Sequence, residues 1–465
     1  MTADASITEE FEELVDTINI GLSDERITEI CATLQEDENN PLKELLAELS
    51  LADTVDLIHK ISPEDRIKMF GLYGHKLSPE LFVEIDPDLR QSALSAMPAH
   101  KVADIVSSLD SDDALDLLIN LDDDFQQDVI RKLSAQMRVA MEEGLSFPED
   151  SAGRLMQREY VAVPEFWTVG KTVDYLRAAA ADLPEDFFDI IVITPAYHVA
   201  GEIPLSHLLR AKRSEKLENL MLDEPHIIPA DMDQEDVALL FRREGLGSAP
   251  VIDADERLIG VITVDDVIEV INEEAQEDIL KLAGVDGGDL YRAVLSTTGN
   301  RFRWLFVNLL TAILASIVIS FFEGTIEDVV ALAILMPIVA SMGGNAGTQA
   351  LTVAVRALAT KELSSTNTMR IIWKETLVGT LNGVAFAVII GLVAALWYAN
   401  PALGMVIASA MVLNLIIAGF CGAGIPIVLN KYGADPAVSS TVFLTTVTDV
   451  VGFFGFLGLA ALFLS

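Results

Sequence analysis

The chain has 465 residues, and its 71 acidic and 31 basic side chains give a formal net charge of −40 at neutral pH. This length exceeds one ordinary globular core, so two or more domains are expected. An acidic surface of this strength repels nucleic acid and anionic lipid headgroups and attracts cations, which argues against a nucleic-acid partner.

The whole net negative charge belongs to the residues before Arg301. From Arg301 onward seven acidic and seven basic residues balance, which leaves 64 acidic and 24 basic residues in the first part. The chain therefore joins an acidic soluble half to an apolar half. The acids either solubilise the surface, as in adaptation to a salty habitat, or bind cations, and a cation sensor needs only a few of them.

The soluble half is expected to be cytosolic. Cys31 and Cys421 are the two cysteines of the sequence, and they offer no disulfide framework. The N-terminal residues are acidic and lack the basic stretch followed by an apolar stretch that marks a cleaved signal peptide. Membrane insertion is therefore expected to be directed by the later segments.

Residues 1–147 are predicted to form an all-α superhelix of short helices, because apolar residues recur at helical spacing. Ser62, Ser78 and Ser111 precede acidic residues and predict helix N-caps. Asp112 and Asp116 lie one helical turn apart. They either hold a cation at an interface or belong to a solvated helix face.

Residues 148–270 mix strands and helices. The segment 248–253 followed by 258–266 predicts a hairpin that leads into a helix. This pattern resembles a pair of α/β CBS domains, with a degenerate first domain at 148–215 and a second at 216–270. The resemblance places Thr263 and Asp266 where many CBS modules hold a nucleotide's phosphate and ribose, and so makes ATP a candidate cofactor.

A connecting helix is predicted over 271–298, leading toward the first apolar segment. Its acids Glu274, Glu277 and Asp278 fall on one side by helical spacing. Such a helix can transmit a cytoplasmic signal to the membrane.

Residues 299–465 predict a transmembrane domain of five helices, since each uncharged stretch reaches the roughly 20 residues that span a bilayer. The first span is Trp304 to Phe322, and the second is 329–355, interrupted by a Gly-rich segment. The uncharged stretch 376–430 is long enough for two spans, the third and the fourth, with a break near Asn400 and Pro401. The last span runs from about Pro436 to the C-terminus. Lys and Arg residues lie in alternate connections, which predicts a cytoplasmic N-terminus and an external C-terminus.

Asp449 is the charged residue inside the last span. An ionisable side chain at membrane depth is costly and normally faces a water-filled cavity or a partner in the bundle. The alternative is a carboxylate paired to a neighbouring helix for assembly, but the spans contain no Lys or Arg to pair with it. The position therefore favours a cation site.

The second span carries Pro337 and then the Gly-rich segment 341–349. Its glycines predict either a helix-packing seam or backbone that lines a cavity. Asn345 and Gln349 share one helix face, and with the glycines they favour a polar pore wall.

Taken in order, the helical superhelix, the CBS pair, the acidic connecting helix and the five spans resemble the MgtE family of magnesium channels over essentially the whole chain. The connecting helix, the segment 337–349 and the segment 435–449 carry this resemblance. It implies a homodimer in which Asp449 flanks a central pore and holds Mg²⁺, with Asn345 and the backbone near Thr445 beside it. An octahedral, reluctantly dehydrated Mg²⁺ suits a carboxylate that acts through retained waters.

The resemblance also implies that cytoplasmic Mg²⁺ closes the pore by binding acids of the soluble half. These are Asp233, Glu235, Asp266, Glu269, Glu274, Glu277 and Asp278, with Asp112 and Asp116 as further candidates. Gly245 stands where the family often has a metal-ligating acid, and Glu244 is a candidate substitute.

Three other classes of function stay open. A secondary transporter that exchanges Mg²⁺, Co²⁺ or Mn²⁺ for H⁺ or Na⁺ would need a second ionisable relay within the membrane. A CBS-regulated receptor or scaffold with no transport would leave Asp449 unexplained. An enzyme would need a nucleophile, a base and a pocket that the sequence does not assemble. The expected location is the plasma (inner) membrane, with lipid and a second copy of the chain as partners, no nucleic acid and no obligatory protein partner.

Overall fold

The structure is a computed structural model, and it describes residues 22–35, 45–74, 77–181, 183–184, 186–222, 225–285, 294–364 and 366–464. The chain separates into two compact units, Met1–Asn272 and Glu273–Ser465.

Short helices build the first part of the first unit. They are α1 Asp24–Gln35, α2 Leu51–Lys60, α3 Pro63–Tyr73, α4 Leu81–Glu84, α5 Pro87–Ser95, α6 Ala99–Val106, α7 Ser111–Ile119, α8 Asp123–Ile130 and α9 Ala135–Ser146. Ser50, Ser62 and Ser134 accept hydrogen bonds from first-turn amides of α2, α3 and α9, so each satisfies an otherwise unpaired helix-end donor. The predicted all-α N-terminal domain is confirmed.

Two of the three predicted serine caps are wrong. Ser78 directs its hydroxyl to the Glu80 carboxylate, and α4 begins after Glu80 with no side-chain cap. Ser111 lies inside α7, after Asp110. Its hydroxyl is drawn into a tertiary contact, because it donates to Glu159 at 2.8 Å and accepts from the Arg158 amide at 2.7 Å.

The second part of the first unit contains two copies of one strand pattern. Strands β1 Ala162–Pro164, β2 Asp189–Ile193 and β3 Val199–Pro204 form one sheet; β4 Ile228–Pro229, β5 Ser248–Ile252 and β6 Leu258–Thr263 form the other. In each sheet the first pair is parallel and the second is an antiparallel hairpin with a register shift near its turn. This repeat confirms the predicted CBS pair.

Helices fill the remainder of this pair. They are α10 Ala152–Leu155, α11 Val169–Ala178, α12 Leu205–Arg210 and α13 Gln234–Glu244. Apolar side chains of α13 and of the β5–β6 hairpin share a buried core that includes Val237, Phe241 and Ile262.

Helix α14, Val264–Ala283, follows β6 directly. The predicted connecting helix is therefore the second half of a helix that begins in the CBS domain. It is followed by Gly284 at φ +68°, where a Cβ would lie 1.9 Å from the Trp304 indole nitrogen, so both the backbone angle and the close contact favour glycine. Residues 286–293 of the predicted segment lie outside the described residues.

Among the described residues of the second unit, five helices are long and apolar enough to cross a membrane. They are α15 Val294–Ser320, α17 Ala331–Ala359, α18 Thr368–Trp397, α19 Pro401–Lys431 and α20 Pro436–Phe463, with the short α16 Glu323–Asp328 between the first two. The predicted five spans are confirmed. Helix α19 packs against α17, α18 and α20.

Glycines set how closely these helices approach. A Cβ on Gly379 of α18 would lie 2.4 Å from the Leu415 carbonyl oxygen, and a Cβ on Gly419 of α19 would lie 2.5 Å from that of Glu375. Backbone therefore meets backbone between α18 and α19, as small residues permit in membrane helices. The interruption expected in the second span does not occur, since α17 is one helix through Gly343 and Gly347.

We expect Gly419→Ala to lower the stability of the protein by about 1–3 kcal/mol, because the added methyl would force α18 and α19 apart. The thermal unfolding midpoint in detergent measures the effect. Gly424→Ala is the matched control, since this glycine lies on the same helix with nothing within 4 Å of the new methyl. Equal midpoints for the two variants would contradict the close packing.

Candidate functional site

Asp449 lies in the middle of α20 and is half-buried. Within the described part of the chain, no side chain forms a hydrogen bond or an ion pair with its carboxylate. Thr445, one turn earlier, is exposed, and its hydroxyl donates to the Thr441 carbonyl at 2.8 Å. The carboxylate is therefore available to a cation or to water.

Asn345 lies on the exposed face of α17, and its amide is 3.5 Å from the Ser341 hydroxyl. The opposite face carries Gly343 and Gly347, which pack against Asn414 of α19 and Leu444 of α20. The glycine segment is thus a packing seam on one side and a polar surface on the other. The packing-seam interpretation is therefore confirmed, and the pore wall stays a prediction for the exposed face.

Asn414 is a residue that the sequence analysis missed. It is fully buried, and its amide donates to the Val339 carbonyl at 2.8 Å. A Cβ on Gly343 or on Gly452 would meet this amide at 2.2 or 2.8 Å, so the side chain is clamped between α17 and α20. These two helices carry Asn345 and Asp449. An uncharged polar residue in the middle of an otherwise apolar span was the available signal.

In the first unit, carboxylates of α7 lie near enough to a carboxylate at the start of α14 for their charges to influence one another. Burial, and then Asp266, raise the pKa of Asp112 well above its ordinary value. Burial, Asp266 and Asp110 raise the pKa of Asp113 to about 7. The structure therefore brings the predicted residues Asp112 and Asp266 together and adds Asp113, which the prediction omitted.

Thr263 and Asp266, the residues predicted to hold a nucleotide, bond to each other. The Thr263 hydroxyl donates to an Asp266 carboxylate oxygen at 2.6 Å. Burial raises the pKa of Asp266 to about 6, although this hydrogen bond opposes the rise. Asp266 is thus shared between the carboxylate cluster and the predicted nucleotide site.

Asp116 is paired with a basic side chain of the protein. It forms an ion pair with Arg90, a guanidinium that is only 3 % exposed and also donates to the carbonyls of Val83 and Ile85. Glu269 is a nearby carboxylate of α14, and its pKa is raised by burial first and then by Asp116 and Glu84. Asp112 and Asp116, predicted as one pair, therefore have different partners.

Asp233 and Glu235 lie at the start of α13. Asp233 is the N-cap and accepts the Glu235 amide at 2.9 Å. Gly245 ends the same helix at φ +68°, an angle that glycine adopts without strain, and Glu244 lies 3.2 Å from Arg243. The backbone therefore explains the glycine where the family often has an acid.

Within the second unit, the end of α14 is tied to the start of α20. Lys281 lies 2.5 Å from Glu277 and 3.0 Å from Asp435, and the Leu282 carbonyl accepts the Thr441 hydroxyl at 3.2 Å. Burial alone would lower the pKa of Lys281, but its two carboxylate partners hold it above its ordinary value.

Two predicted regulatory acids on α14 have different surroundings. Burial and then Asp435 raise the pKa of Asp278, so this carboxylate has unfavourable neighbours. Glu274, one turn earlier, has a partner within the protein.

No three His, Cys, Asp or Glu side chains in the described ranges lie close enough together to hold a metal ion. The pore and regulatory metal assignments therefore stay predictions.

Three family models match the chain. The model described as MgtE divalent cation transporter matches residues 336–459, the MgtE intracellular N domain matches 49–150, and the CBS domain matches 217–273. The chain is 33% identical over 441 residues to the magnesium transporter MgtE of Thermus thermophilus, covering 93% of this chain and 97% of the relative. The chain belongs to the MgtE family.

A second MgtE relative, the magnesium transporter of Bacillus subtilis, is 30% identical over 446 residues, covering 95% of this chain and 98% of the relative. Among solved structures, the cytosolic domain of an Mg²⁺ channel MgtE in complex with ATP is 30% identical, with a TM-score of 0.48. It covers 52% of this chain and 99% of its own length.

We expect Asn414→Ala to destabilise this MgtE chain by about 1–3 kcal/mol, because the substitution removes a buried hydrogen bond and leaves a void between two glycines. The midpoint of thermal unfolding is the measurement. Asn382→Ala, at an exposed position of α18, is the control and should change it little. A larger effect at Asn382 would show that the clamp is unimportant.

We expect Asp113→Asn to raise the unfolding midpoint in chelator at pH 8. With a folded pKa of about 7 against an ordinary 3.8, Asp113 binds more protons in the folded state between these values. Stability therefore falls as pH rises through this window, and the full penalty is present above pH 7.

The gain from Asp113→Asn should accordingly shrink when the same scan is run at pH 5. Asp104→Asn, an exposed carboxylate on α6, is the control for loss of one charge. A gain that is independent of pH would disprove the electrostatic cause.

Proposed function

We propose that this chain imports Mg²⁺ through a homodimeric pore that cytoplasmic Mg²⁺ closes. The observation that carries the proposal is the half-buried Asp449 carboxylate in the middle of α20, without a partner among the described residues. Relatives of the chain are named magnesium transporters, and the divalent cation transporter model matches residues 336–459, which include Asp449. A cation at Asp449 would compensate a charge that is otherwise costly at membrane depth.

Mg²⁺ suits this position because it keeps an octahedral shell of oxygens and releases its waters reluctantly. In the proposal, Asp449 acts through retained waters, and the Asn345 amide oxygen and the backbone near Thr445 contact the same hydration shell. Ca²⁺, with its looser hydration and higher coordination number, should fit this arrangement less well.

Exposure of the polar face supports a homodimer. Asn345, Gln349 and Thr445 are exposed in the single chain although their helices are apolar enough to span a membrane. Lipid would leave these groups without hydrogen-bond partners, whereas a second copy around water would satisfy them. In the proposal, one Asp449 from each protomer therefore flanks the pore.

Helix α14 is the proposed link between sensor and pore. It begins at the CBS hairpin beside Asp112 and Asp113, and its far end is bonded to α20 through Lys281 and Leu282. Mg²⁺ that binds the carboxylates and prefers one position of α14 would shift the pore toward closure, with no further device required. The regulatory ligands we propose are Asp112, Asp116, Asp233, Glu235, Asp266, Glu269, Glu274, Glu277 and Asp278.

ATP is a proposed cofactor of the second CBS domain. Thr263 and Asp266 would contact it, in place of the hydrogen bond that they make to each other. Because Asp112 and Asp113 lie close to Asp266, a bare triphosphate would meet like charge, and we expect ATP to enter with Mg²⁺.

An exchanger is the second candidate function, and one observation bears on it. Glu375 lies in the third turn of α18 and is 8 % exposed, so a spanning helix other than α20 also contains a carboxylate, and this one is buried. Lys374 lies 3.6 Å from it, and Arg370 precedes both near the same helix end. This position is far along the sequence from mid-helix Asp449 and suits a helix-end ion pair better than a proton relay.

The topology follows the same proposal. The domains at 1–147, 148–215, 216–270 and 271–298 face the cytoplasm, and the membrane domain at 299–465 ends with its C-terminus outside, in the plasma (inner) membrane.

Proteoliposome flux tests the function directly. We expect wild-type protein to admit Mg²⁺ when internal Mg²⁺ is low and to slow when it is high, and Asp449→Asn to reduce the flux at low internal Mg²⁺ by about tenfold or more, equivalent to at least ~1.4 kcal/mol. Asp328→Asn, at the exposed last residue of α16, is the control. Normal flux through Asp449→Asn would disprove the pore site, and flux driven by an imposed proton gradient would favour the exchanger.

A further inference from the structure

A basic cavity of about 220 Å³ lies where the end of α14 meets the start of α15 and α20. Three cationic side chains line it, and no acidic one does so among the described residues. The side chains that shape it are Lys281, Asn300, Arg301, Arg303, Trp304 and Val438. In a chain of net charge −40, such a concentration of positive charge is unusual and points to an anionic ligand.

A second cavity of about 230 Å³ lies between α15 and α20. It is apolar, and its lining includes Val307, Val442 and Phe443. Trp304 lines both cavities. A basic compartment therefore opens beside an apolar groove on a spanning helix, with an indole between them, as is typical of the membrane interface.

The cations of the first cavity are not equivalent. Lys281 is matched by Glu277 at 2.5 Å and Asp435 at 3.0 Å, so its charge is largely compensated. Arg301 and Arg303 are both exposed at the start of the first span, and Arg301 also has a contact within the protein that a phosphate would share. Guanidinium groups bind phosphate through paired hydrogen bonds, and arginines at this depth lie at headgroup level.

We propose that these two cavities bind one anionic phospholipid, with its phosphate against Arg301 and Arg303 and one acyl chain along the α15–α20 groove. Free phosphate shares the headgroup chemistry but would leave the apolar groove unfilled. A zwitterionic lipid would bring a quaternary ammonium group toward the same cations. The ligand is therefore expected to carry net negative charge and an acyl chain.

Binding would join three elements that carry the proposed gate. The lipid would contact the end of α14, the start of α15 and the part of α20 that precedes Asp449. The site itself depends only on the membrane position of α15 and not on the ion that the pore carries, so failure of one proposal leaves the other standing.

The experiment compares full-length protein in detergent with added phosphatidylglycerol, phosphatidylcholine or inorganic phosphate. We expect phosphatidylglycerol to raise the thermal midpoint by about 2–4 °C or more, and the other two to raise it much less. Arg301→Gln with Arg303→Gln should abolish this difference. Arg370→Gln with Lys374→Gln removes the same charge near the start of α18, outside both cavities, and should keep the difference.

A photoreactive phosphatidylglycerol on the wild-type protein provides a test that needs no variant. Cross-links in peptides of both α15 and α20, displaced by unlabelled phosphatidylglycerol, would support the site. Equal stabilisation by inorganic phosphate or by phosphatidylcholine, loss of the effect in the α18 control, or cross-links only on other helices would overturn it.

Discussion

Close backbone contact around α19 is the constraint on which the membrane unit depends. Lipid tails are as apolar as the helices, so association relies on packing and on internal hydrogen bonds rather than on burial from water. Gly379 and Gly419 bring α18 and α19 to backbone distance, and Asn414 clamps α17 and α20 against α19. The positions of Asn345 and Asp449 follow from that clamp, because the helices that carry them are held by it.

In the first unit the main constraint is electrostatic, because buried carboxylates destabilise the fold when they are ionised. Asp112, Asp113 and Asp266 each have a raised pKa, caused first by burial and then by each other's charge or by that of their neighbours. A carboxylate with a raised pKa is destabilising when it is ionised. A bound divalent cation would offset both the desolvation cost of the ionised carboxylates and the repulsion between them. Its binding would therefore stabilise the folded state.

Sequence patterns predicted the architecture well because it rests on features that are local in sequence. Apolar length predicted the five spans, and the two consecutive strand-like segments 248–253 and 258–266 predicted the β5–β6 hairpin. Tertiary competition caused the failures: Ser111 is not a cap because Glu159 and Arg158, nearly fifty residues later, take its hydroxyl. The Arg90–Asp116 ion pair and the Asn414 clamp were equally beyond reach, because each joins residues whose proximity only the fold decides.

Ion pairs with basic side chains of the protein limit which acids can drive gating. Repulsion among carboxylates is one force that bound Mg²⁺ would remove, but Asp116 is already paired with Arg90, and Glu277 is already paired with Lys281. Mg²⁺ that displaced the Arg90 or Lys281 side chain would gain less binding free energy than Mg²⁺ that bound carboxylates with no basic partner. Among the described residues, Asp112, Asp113 and Asp266 form no ion pair with a basic side chain, and burial raises the pKa of each, followed for Asp112 and Asp113 by the charge of Asp266. If Mg²⁺ controls this protein through electrostatics, its largest effect should therefore arise at the CBS end of α14, and the Lys281 end should act mainly as the fixed attachment to α20.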